Sequence, residues 1–266
     1  MARDDSVASG DANGGAQTGG RPSSFAEVFD AVADVQGWMT RAQAGRLWDC
    51  ASALQAGDSI VEIGSFHGRS AIVLASAAPA GVAVTAIDPH AGNDRGPQEI
   101  DGFVDEAEQD HQQFLTNLRA AGVDGRIHHL RQFSDAAHGG VDGEVTVLYI
   151  DGAHRFAPAR SDLVAWGARV APGGTMLVHD SFSSVGVTLA LLVTTMVNGR
   201  FAYRGRSGSL AQFERRNLTM TERVANVGAH VVQLPWFARN IVVKALITAR
   251  LGRLARLLGS DGTWPY

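Results

Sequence analysis

Residues 59–70 read SIVEIGSFHGRS. The first five form a short, largely β-branched apolar run, the pattern of a buried strand, and the run stops at a glycine. Gly64 and Gly68 allow a tight turn and a close approach of backbone to a ligand. The small residues that follow, GRSAIVLASAA, predict a helix whose first turn offers free N–H groups. Strand, glycine turn and helix N-terminus together make a ligand cradle. A dinucleotide cradle would carry G-x-G-x-x-G around a diphosphate. Here the glycines stand as G-x-x-x-G, with Glu62 two residues before the first. A carboxylate sits poorly beside a diphosphate and suits a cationic amino-acid moiety.

Outward from this turn, strands and helices alternate. Two helices are expected before it, at about 24–35 and 40–55. After it comes VAVTAI (82–87), then a helix over 102–121 with Phe103, Ala107, Phe114 and Leu118 on one face, then a weaker strand, RIHHL (126–130). VTVLYI (145–150) is a strong strand, followed by a helix containing Leu163, Trp166 and Val170. APGG then turns the chain into TMLVH (175–179), and a helix follows at about 185–197. RFAYRG and SLAQFER, separated by a short turn, read as a closing hairpin. Continuous apolar strands alternating with helices imply an α/β fold with a parallel sheet covered on both faces. The expected organisation is a disordered tail over 1–22, N-terminal helices over 23–57, a core over 58–216 and a C-terminal extension over 217–266.

In such sheets, ligands bind beyond the carboxyl ends of the strands. Four strand ends carry polar groups: Glu62-Ile63-Gly64, Asp88-Pro89-His90, Asp151-Gly152-Ala153-His154 and His179-Asp180. One acidic strand end is accounted for by helix capping; four together are not. Asp88 stands where a carboxylate can accept both hydroxyls of a ribose. His67 and Arg69 in the glycine turn, and His90 after Asp88, face either a ligand or solvent.

Composition removes several classes. The chain has 266 residues, 45% hydrophobic and 19% charged, enough for one sizeable core. A net charge of -4 gives no global nucleic-acid footprint, and a nucleic-acid partner is not expected. No uninterrupted apolar run is long enough to cross a bilayer, and the N-terminus lacks the apolar stretch of a signal peptide. A cytoplasmic location is expected. Cys50 is the only cysteine, so no internal disulfide forms; a reduced thiol packed near Leu47, Trp48 and Leu54 is the expectation.

VEIGSFHGRS, AIDPH, YIDGAHRF, APGG and LVHD, in this order, resemble a class I S-adenosylmethionine-dependent methyltransferase. D-G-x-H followed by P-G-G and H-D is similar, more narrowly, to the group of macrocin-type sugar O-methyltransferases and cephalosporin-hydroxylase-like proteins. The resemblance implies a Rossmann-like, doubly wound, mostly parallel seven-stranded sheet with an antiparallel closing hairpin. It implies S-adenosyl-L-methionine as cofactor, with Glu62, Gly64, Ser65 and Gly68 along its methionine side. Asp88 would bind the ribose, and Phe133 with Ser134 would lie near the adenine; a core position for Phe133 is the other reading.

In such relatives the D-x-x-H histidine is the base and the aspartate helps hold a divalent cation. By resemblance, His154 and Asp151 are catalytic here, and Asp151, His179 and Asp180 form a set for Mg2+ or another divalent cation. This chain departs from the family pattern at His179, where the relatives carry a second acid. Magnesium prefers oxygen ligands, so either His179 points away or no metal binds. On the residues alone, Asp151 and His154 are also compatible with capping the next helix. The implied acceptor is a hydroxyl, most often of a sugar, on a small molecule or oligosaccharide. The rival readings are an NAD-dependent oxidoreductase, disfavoured by the glycine spacing and the hairpin, and a non-catalytic nucleoside-binding module.

Residues 236–258 carry five basic side chains and no acidic one. On a single helix, Val243, Ile247, Leu251, Leu254 and Leu258 form one apolar stripe. A basic amphipathic helix suits contact with the inner face of a membrane, docking on the domain, or self-association, and a homo-oligomer is expected.

Overall fold

The computed structural model describes residues 24–91 and 104–260. The 1–22 tail, Phe103, most of the acidic stretch after His90 and the last six residues lie outside that range. Seven strands, β1 (Ser59–Ile63), β2 (Ala83–Ile87), β3 (Ile127–Leu130), β4 (Val145–Ile150), β5 (Val170–Val178), β6 (Phe201–Ser207) and β7 (Leu210–Arg215), make one sheet. Their order is β3-β2-β1-β4-β5-β7-β6. The first five are mutually parallel, and β7 runs antiparallel between β5 and β6. The α/β, doubly wound sheet with an antiparallel hairpin is thus the observed architecture.

Side chains alternate across β1, so each strand feeds two cores. Ile60 faces a layer built by α1 (Phe25–Ala31), α2 (Arg41–Ser52), α3 (Arg69–Ala77) and α4 (Val104–Ala120), with Leu47, Ile72, Leu74, Phe114 and Leu118. Val61 and Ile63 face the opposite layer, built by α5 (Phe156–Ala165) and α6 (Val185–Leu191), with Leu163, Trp166, Phe182 and Phe213. The first two helices start at reciprocal capping boxes, Ser24 with Glu27 and Thr40 with Gln43. Cys50 is half-buried beside Gln212, and burial pushes its thiol up to about 11, which makes it unreactive.

Three expectations change on folding. APGG is not a turn before β5 but part of it: the pairing jumps from Val145–Val170 to Val147–Thr175, a bulge that lets the strand continue. The helix after β5 is interrupted, since α6 passes into a π-helical turn over Leu192–Met196. The C-terminal segment is three helices, α7 (Met220–Val231), α8 (Leu234–Thr248) and α9 (Gly252–Leu257). Arg250, with φ +59, breaks the expected continuous stripe. The chain then turns back, so that Arg239 Nε of α8 donates to the Leu258 carbonyl at 2.7 Å. Of the stripe, Val243 is buried, whereas Leu251, Leu254 and Leu258 are exposed. Among the described residues no helix is long and apolar enough to cross a membrane.

The α7 helix closes the open sheet edge. Asn226 accepts the backbone N–H of Tyr203 on β6 and donates to the carbonyls of Phe201 and Thr195. His230, fully buried, lies within hydrogen-bond distance of the Thr195 hydroxyl and stacks on Phe213. Covering an edge strand in this way removes a template for unwanted pairing.

At the other edge, His90, His111 and His129 pack ring against ring beside Phe114, with centroids 5.1 to 5.2 Å apart. Of the two histidines in β3, His128 is exposed and His129 turns into this cluster. Burial, then the neighbouring His90 and His111, push His129 down to about 4. The unfolded chain therefore takes up this proton first, near pH 6.5, so stability declines as pH falls from about 6.5 towards 4. Thermal melts across that window are expected to show a smaller fall for His129→Phe than for the wild type. Equal slopes would mean that the cluster carries none of the acid sensitivity.

Candidate active site

The parallel register sets the site. Ile63 pairs with Ile87 on one side and Ile150 on the other, and Ile150 pairs with Val178. The next residue of each strand therefore falls in one row: Asp88, Gly64, Asp151 and His179. The ladder continues into that row, with Gly64 N to Ile87 O at 2.9 Å, Asp151 N to Ile63 O at 2.8 Å and His179 N to Ile150 O at 2.9 Å. Four segments distant in sequence thus share one edge.

On the β1 side lies the glycine turn. Gly64 and Gly68 have φ +86 and +84, a region other residues enter only with strain. A Cβ on Gly64 would also overlap the Asp151 carbonyl, so this glycine lets the β1 and β4 ends meet. Asp88 locks the turn from the β2 side: Oδ2 accepts the Phe66 N–H and Oδ1 accepts the His90 N–H, both at 2.8 Å. Each oxygen keeps lone-pair capacity for a further donor. His67 and Arg69 turn to protein partners, His67 Nε2 lying 2.8 Å from Asp110 Oδ1 and Arg69 Nη1 donating to Gly37 O at 3.0 Å. His90 is buried in the histidine cluster.

Glu62 is 1% exposed and takes a hydrogen bond from Ser70 Oγ, the second residue of α3. Its Oε2 and the Ser65 hydroxyl, both buried, have no hydrogen-bond partner. Desolvation pushes the Glu62 carboxyl up to about 8, and the Ser70 hydrogen bond only partly offsets it. A buried acid with an open oxygen at a glycine turn calls for a donor of positive charge, and the ammonium group of S-adenosylmethionine supplies one. The residues present fit that cofactor.

Beyond β3, Phe133 is 63% exposed, which removes its core reading and leaves an aromatic face on the same side of the sheet. Ser134 Oγ donates to Asp162 Oδ1 at 2.5 Å. Asp162 lies on α5, and burial raises it to about 6. Sequence reading had no signal for this pair, because Asp162 looks like an ordinary helix-face acid.

On the β4 and β5 side stand two acids and two imidazoles. The Tyr149 hydroxyl donates to Asp151 Oδ2 at 3.0 Å. His179 Nδ1 lies 3.1 Å from Asp151 Oδ1 and 3.6 Å from Asp180 Oδ2. Burial alone would lower its pKa, but the two carboxylates reverse the sign and raise it to about 10. The two carboxylates thus favour a proton on His179. His154 Nε2 lies 2.5 Å from Asp180 Oδ2, and its Nδ1 has no hydrogen-bond partner. Among the described residues, the group whose ligand atoms converge within 4.8 Å is Asp151, His154 and Asp180. His154 stands in that group where the sequence suggested His179.

Asp180 sits on a strained loop. Asp180 and Phe182 have φ +54 and +56, a conformation costing non-glycine residues roughly 1–2 kcal/mol each. The Phe182 ring lies against Tyr203 and His230 at the hairpin edge. Ser181 N donates to Ser209 O at 2.9 Å, and from α8 Asn240 Nδ2 donates to Phe182 O and Lys244 Nζ to Ser183 O. Sequence reading assigned nothing to Tyr149, Asn240 or Lys244; that Lys244 is the single lysine was the one available hint.

Comparison with known proteins agrees with this architecture. A family described as a methyltransferase domain matches residues 61–181, from the cradle strand to the residue after Asp180. No curated protein matches the chain in sequence. Among solved structures, an O-methyltransferase from Bacillus cereus, in complex with S-adenosylhomocysteine, is 14% identical. It covers 75% of this chain and 94% of its own, with TM-score 0.51. TomG from Streptomyces achromogenes, an O-methyltransferase in complex with S-adenosylmethionine, is 16% identical over 72% of this chain and 88% of its own, with TM-score 0.51. The O-methyltransferase NovP is 15% identical over 67% and 83%, with TM-score 0.52. At these identities the structures speak for the fold. Residues 61–181 match a methyltransferase domain, and the match together with the shared fold supports reading the protein as a class I S-adenosylmethionine-dependent methyltransferase.

Proposed function

We propose that the protein methylates a hydroxyl group, and that the hydroxyl belongs to a sugar in a polysaccharide, glycolipid or glycosylated metabolite. The observation that carries the O-methyl reading is the His154–Asp180 pair, 2.5 Å apart, formed by the segments that follow β4 and β5. An alcohol is a poor nucleophile until its proton is removed as the new bond forms. With Nε2–H donated to Asp180, His154 keeps the Nδ1 lone pair for that proton. Asp180 fixes this tautomer and stabilises the imidazolium that results. Asp151 orients the cluster through Tyr149 and His179. The bound S-adenosylmethionine supplies an electrophilic methyl on a sulfonium. Glu62 and Ser65 hold its amino-acid end, the Gly64–Gly68 turn admits it, and Asp88 receives the ribose hydroxyls beside Phe133 and Ser134. The sugar class is supported by the D-G-x-H, P-G-G and H-D motifs, and by Phe156, exposed two residues after His154, whose ring suits the apolar face of a saccharide.

One observation favours a second arrangement. The convergence of Asp151, His154 and Asp180 suits a divalent cation, which when bound would orient and acidify the acceptor hydroxyl. His154 is then a ligand and not the base. Exhaustive chelation separates the two: full turnover in chelator supports the base, and loss restored by magnesium or manganese supports the cation.

Methyl transfer from S-adenosylmethionine to a panel of saccharides tests the acceptor class; transfer only to non-hydroxyl acceptors would overturn it. With a saccharide in hand, His154→Ala is expected to lower turnover by roughly 10²- to 10⁴-fold with S-adenosylhomocysteine affinity retained. Turnover within a few-fold of wild type in a folded variant would remove His154 from the chemistry.

Glu62 gives a test that needs no acceptor. Its carboxyl keeps its proton up to about pH 8 in the folded state, whereas the unfolded chain loses it near 4.5. Glu62 therefore costs stability increasingly as pH rises through that window. Glu62→Gln is expected to melt higher than wild type at pH 8 and to bind S-adenosylhomocysteine more weakly. Wild-type binding at pH 7 should release a proton, because the ligand's ammonium favours the carboxylate. Calorimetry in buffers of different ionisation enthalpy measures that proton; none released, with affinity unchanged by Glu62→Gln, would place the amino group elsewhere.

A further inference from the structure

The methyltransferase segment ends at residue 181, yet the loop that presents Asp180 is completed by a helix about sixty residues further on. Asn240 and Lys244 stand one helical turn apart on one face of α8. Asn240 is fully buried, and its Nδ2 donates to the Phe182 carbonyl at 3.1 Å. Lys244 Nζ donates to the next carbonyl, that of Ser183, at 3.0 Å. Two successive carbonyls of the strained loop thus take donors from one helix face. Further ties of the loop include Ser181 N to Ser209 O, Ser181 Oγ to Val178 O, the amides of Ser183 and Ser184 to Asp180 O, and Ser184 Oγ to His154 O.

We propose that Asn240 and Lys244 are positioning residues for methyl transfer, with α8 holding loop 179–184 in the left-handed conformation that aims the Asp180 carboxylate at His154. Non-glycine residues persist in that conformation only where surrounding contacts over-determine it. Remove the α8 donors, and the buried Phe182 and Ser183 carbonyls lose two hydrogen bonds that fix the loop. The loop then relaxes towards negative φ and carries Asp180 away from the imidazole. The C-terminal extension is on this view part of the active site, not an appendage. The inference rests on the reading of His154–Asp180 as the working pair, and its test is arranged so that the two can fail separately.

In the full-length protein, Asp180→Asn serves as reference, beside Asn240→Leu, Lys244→Met and Lys244→Arg. The readouts are the melting temperature, S-adenosylhomocysteine affinity, turnover on the saccharide from the panel, and the ¹⁵N resonances of the His154 imidazole. Lys244→Met is expected to lower kcat at least tenfold with KM and S-adenosylhomocysteine Kd within about twofold. It should move the His154 resonances in the same direction as Asp180→Asn, and Lys244→Arg should restore them. Combined with Asp180→Asn, Lys244→Met should cost nothing further, because both act through one carboxylate. Should Asn240→Leu fail to fold, Lys244→Met carries the test alone, its side chain being only partly buried. Wild-type turnover and unshifted resonances for Lys244→Met, where Asp180→Asn loses both, would overturn the positioning role. An additive loss in the double variant would overturn it too. An Asp180→Asn protein with unaltered turnover and His154 resonances would instead overturn the pair itself.

Discussion

Everything at this site depends on the register of four parallel strands. Parallel pairing with no offset between β1, β2 and β4 and the end of β5 brings Ile63, Ile87, Ile150 and Val178 side by side. The chain leaves each strand at the same height, so the first residue outside the apolar layer is polar in all but the glycine. A shift of one residue in β2 or β4 would draw the Asp88 or Asp151 carboxylate into the core and expose an isoleucine. The core therefore enforces the site. The apolar residues that stabilise the sheet are also what holds Asp88, Asp151 and His179 in one row.

Placing several acids on one buried edge has an electrostatic cost, and the structure meets it in two ways. At β1 the carboxyl of Glu62 keeps its proton, since Ser70 alone does not compensate its desolvation. At β4 and β5 the carboxylates of Asp151 and Asp180 lie 3.1 and 3.6 Å from His179 Nδ1 and favour a proton on that imidazole. His154 and Asp151 are the partly exposed members of the cluster, while His179 and Asp180 are buried. The cluster thus divides into a buried imidazole between two carboxylates and a partly exposed one against Asp180. A bare D-G-x-H motif does not show this division.

The left-handed backbone at Asp180 and Phe182 ties the catalytic edge to the rest of the molecule. The hairpin contributes Ser209 and Tyr203, α7 sets His230 against the Phe182 ring, and α8 supplies the donors to its carbonyl and the next one. Strain of this kind is stored at functional sites and requires support from several directions. The antiparallel hairpin and the C-terminal helices are, in this sense, one supporting wall.

How much of this could be read from the sequence follows from the range of each interaction. β1, β4 and the closing hairpin were legible because periodicity two and β-branched runs are local properties of the chain, and SIVEI and VTVLYI match their strands residue for residue. The glycine turn was legible because positive φ selects glycine locally. The parallel sheet followed from strand–helix alternation, and with it the prediction that four polar strand ends would meet. The break at Arg250 was not legible, since arginine carries no signal for left-handed backbone. Nor was the exchange of His154 for His179 beside Asp180. Two histidines in similar motifs differ only in where the folded backbone points them, and the Asp151 carboxylate that meets His179 comes from another strand. The donors of Asn240 and Lys244 act across some sixty residues, on carbonyls whose need for a partner exists only once the loop is strained and buried. Local pattern determined the elements and their polar ends; long-range packing and the shared electrostatics of a buried edge decided what each polar group can do.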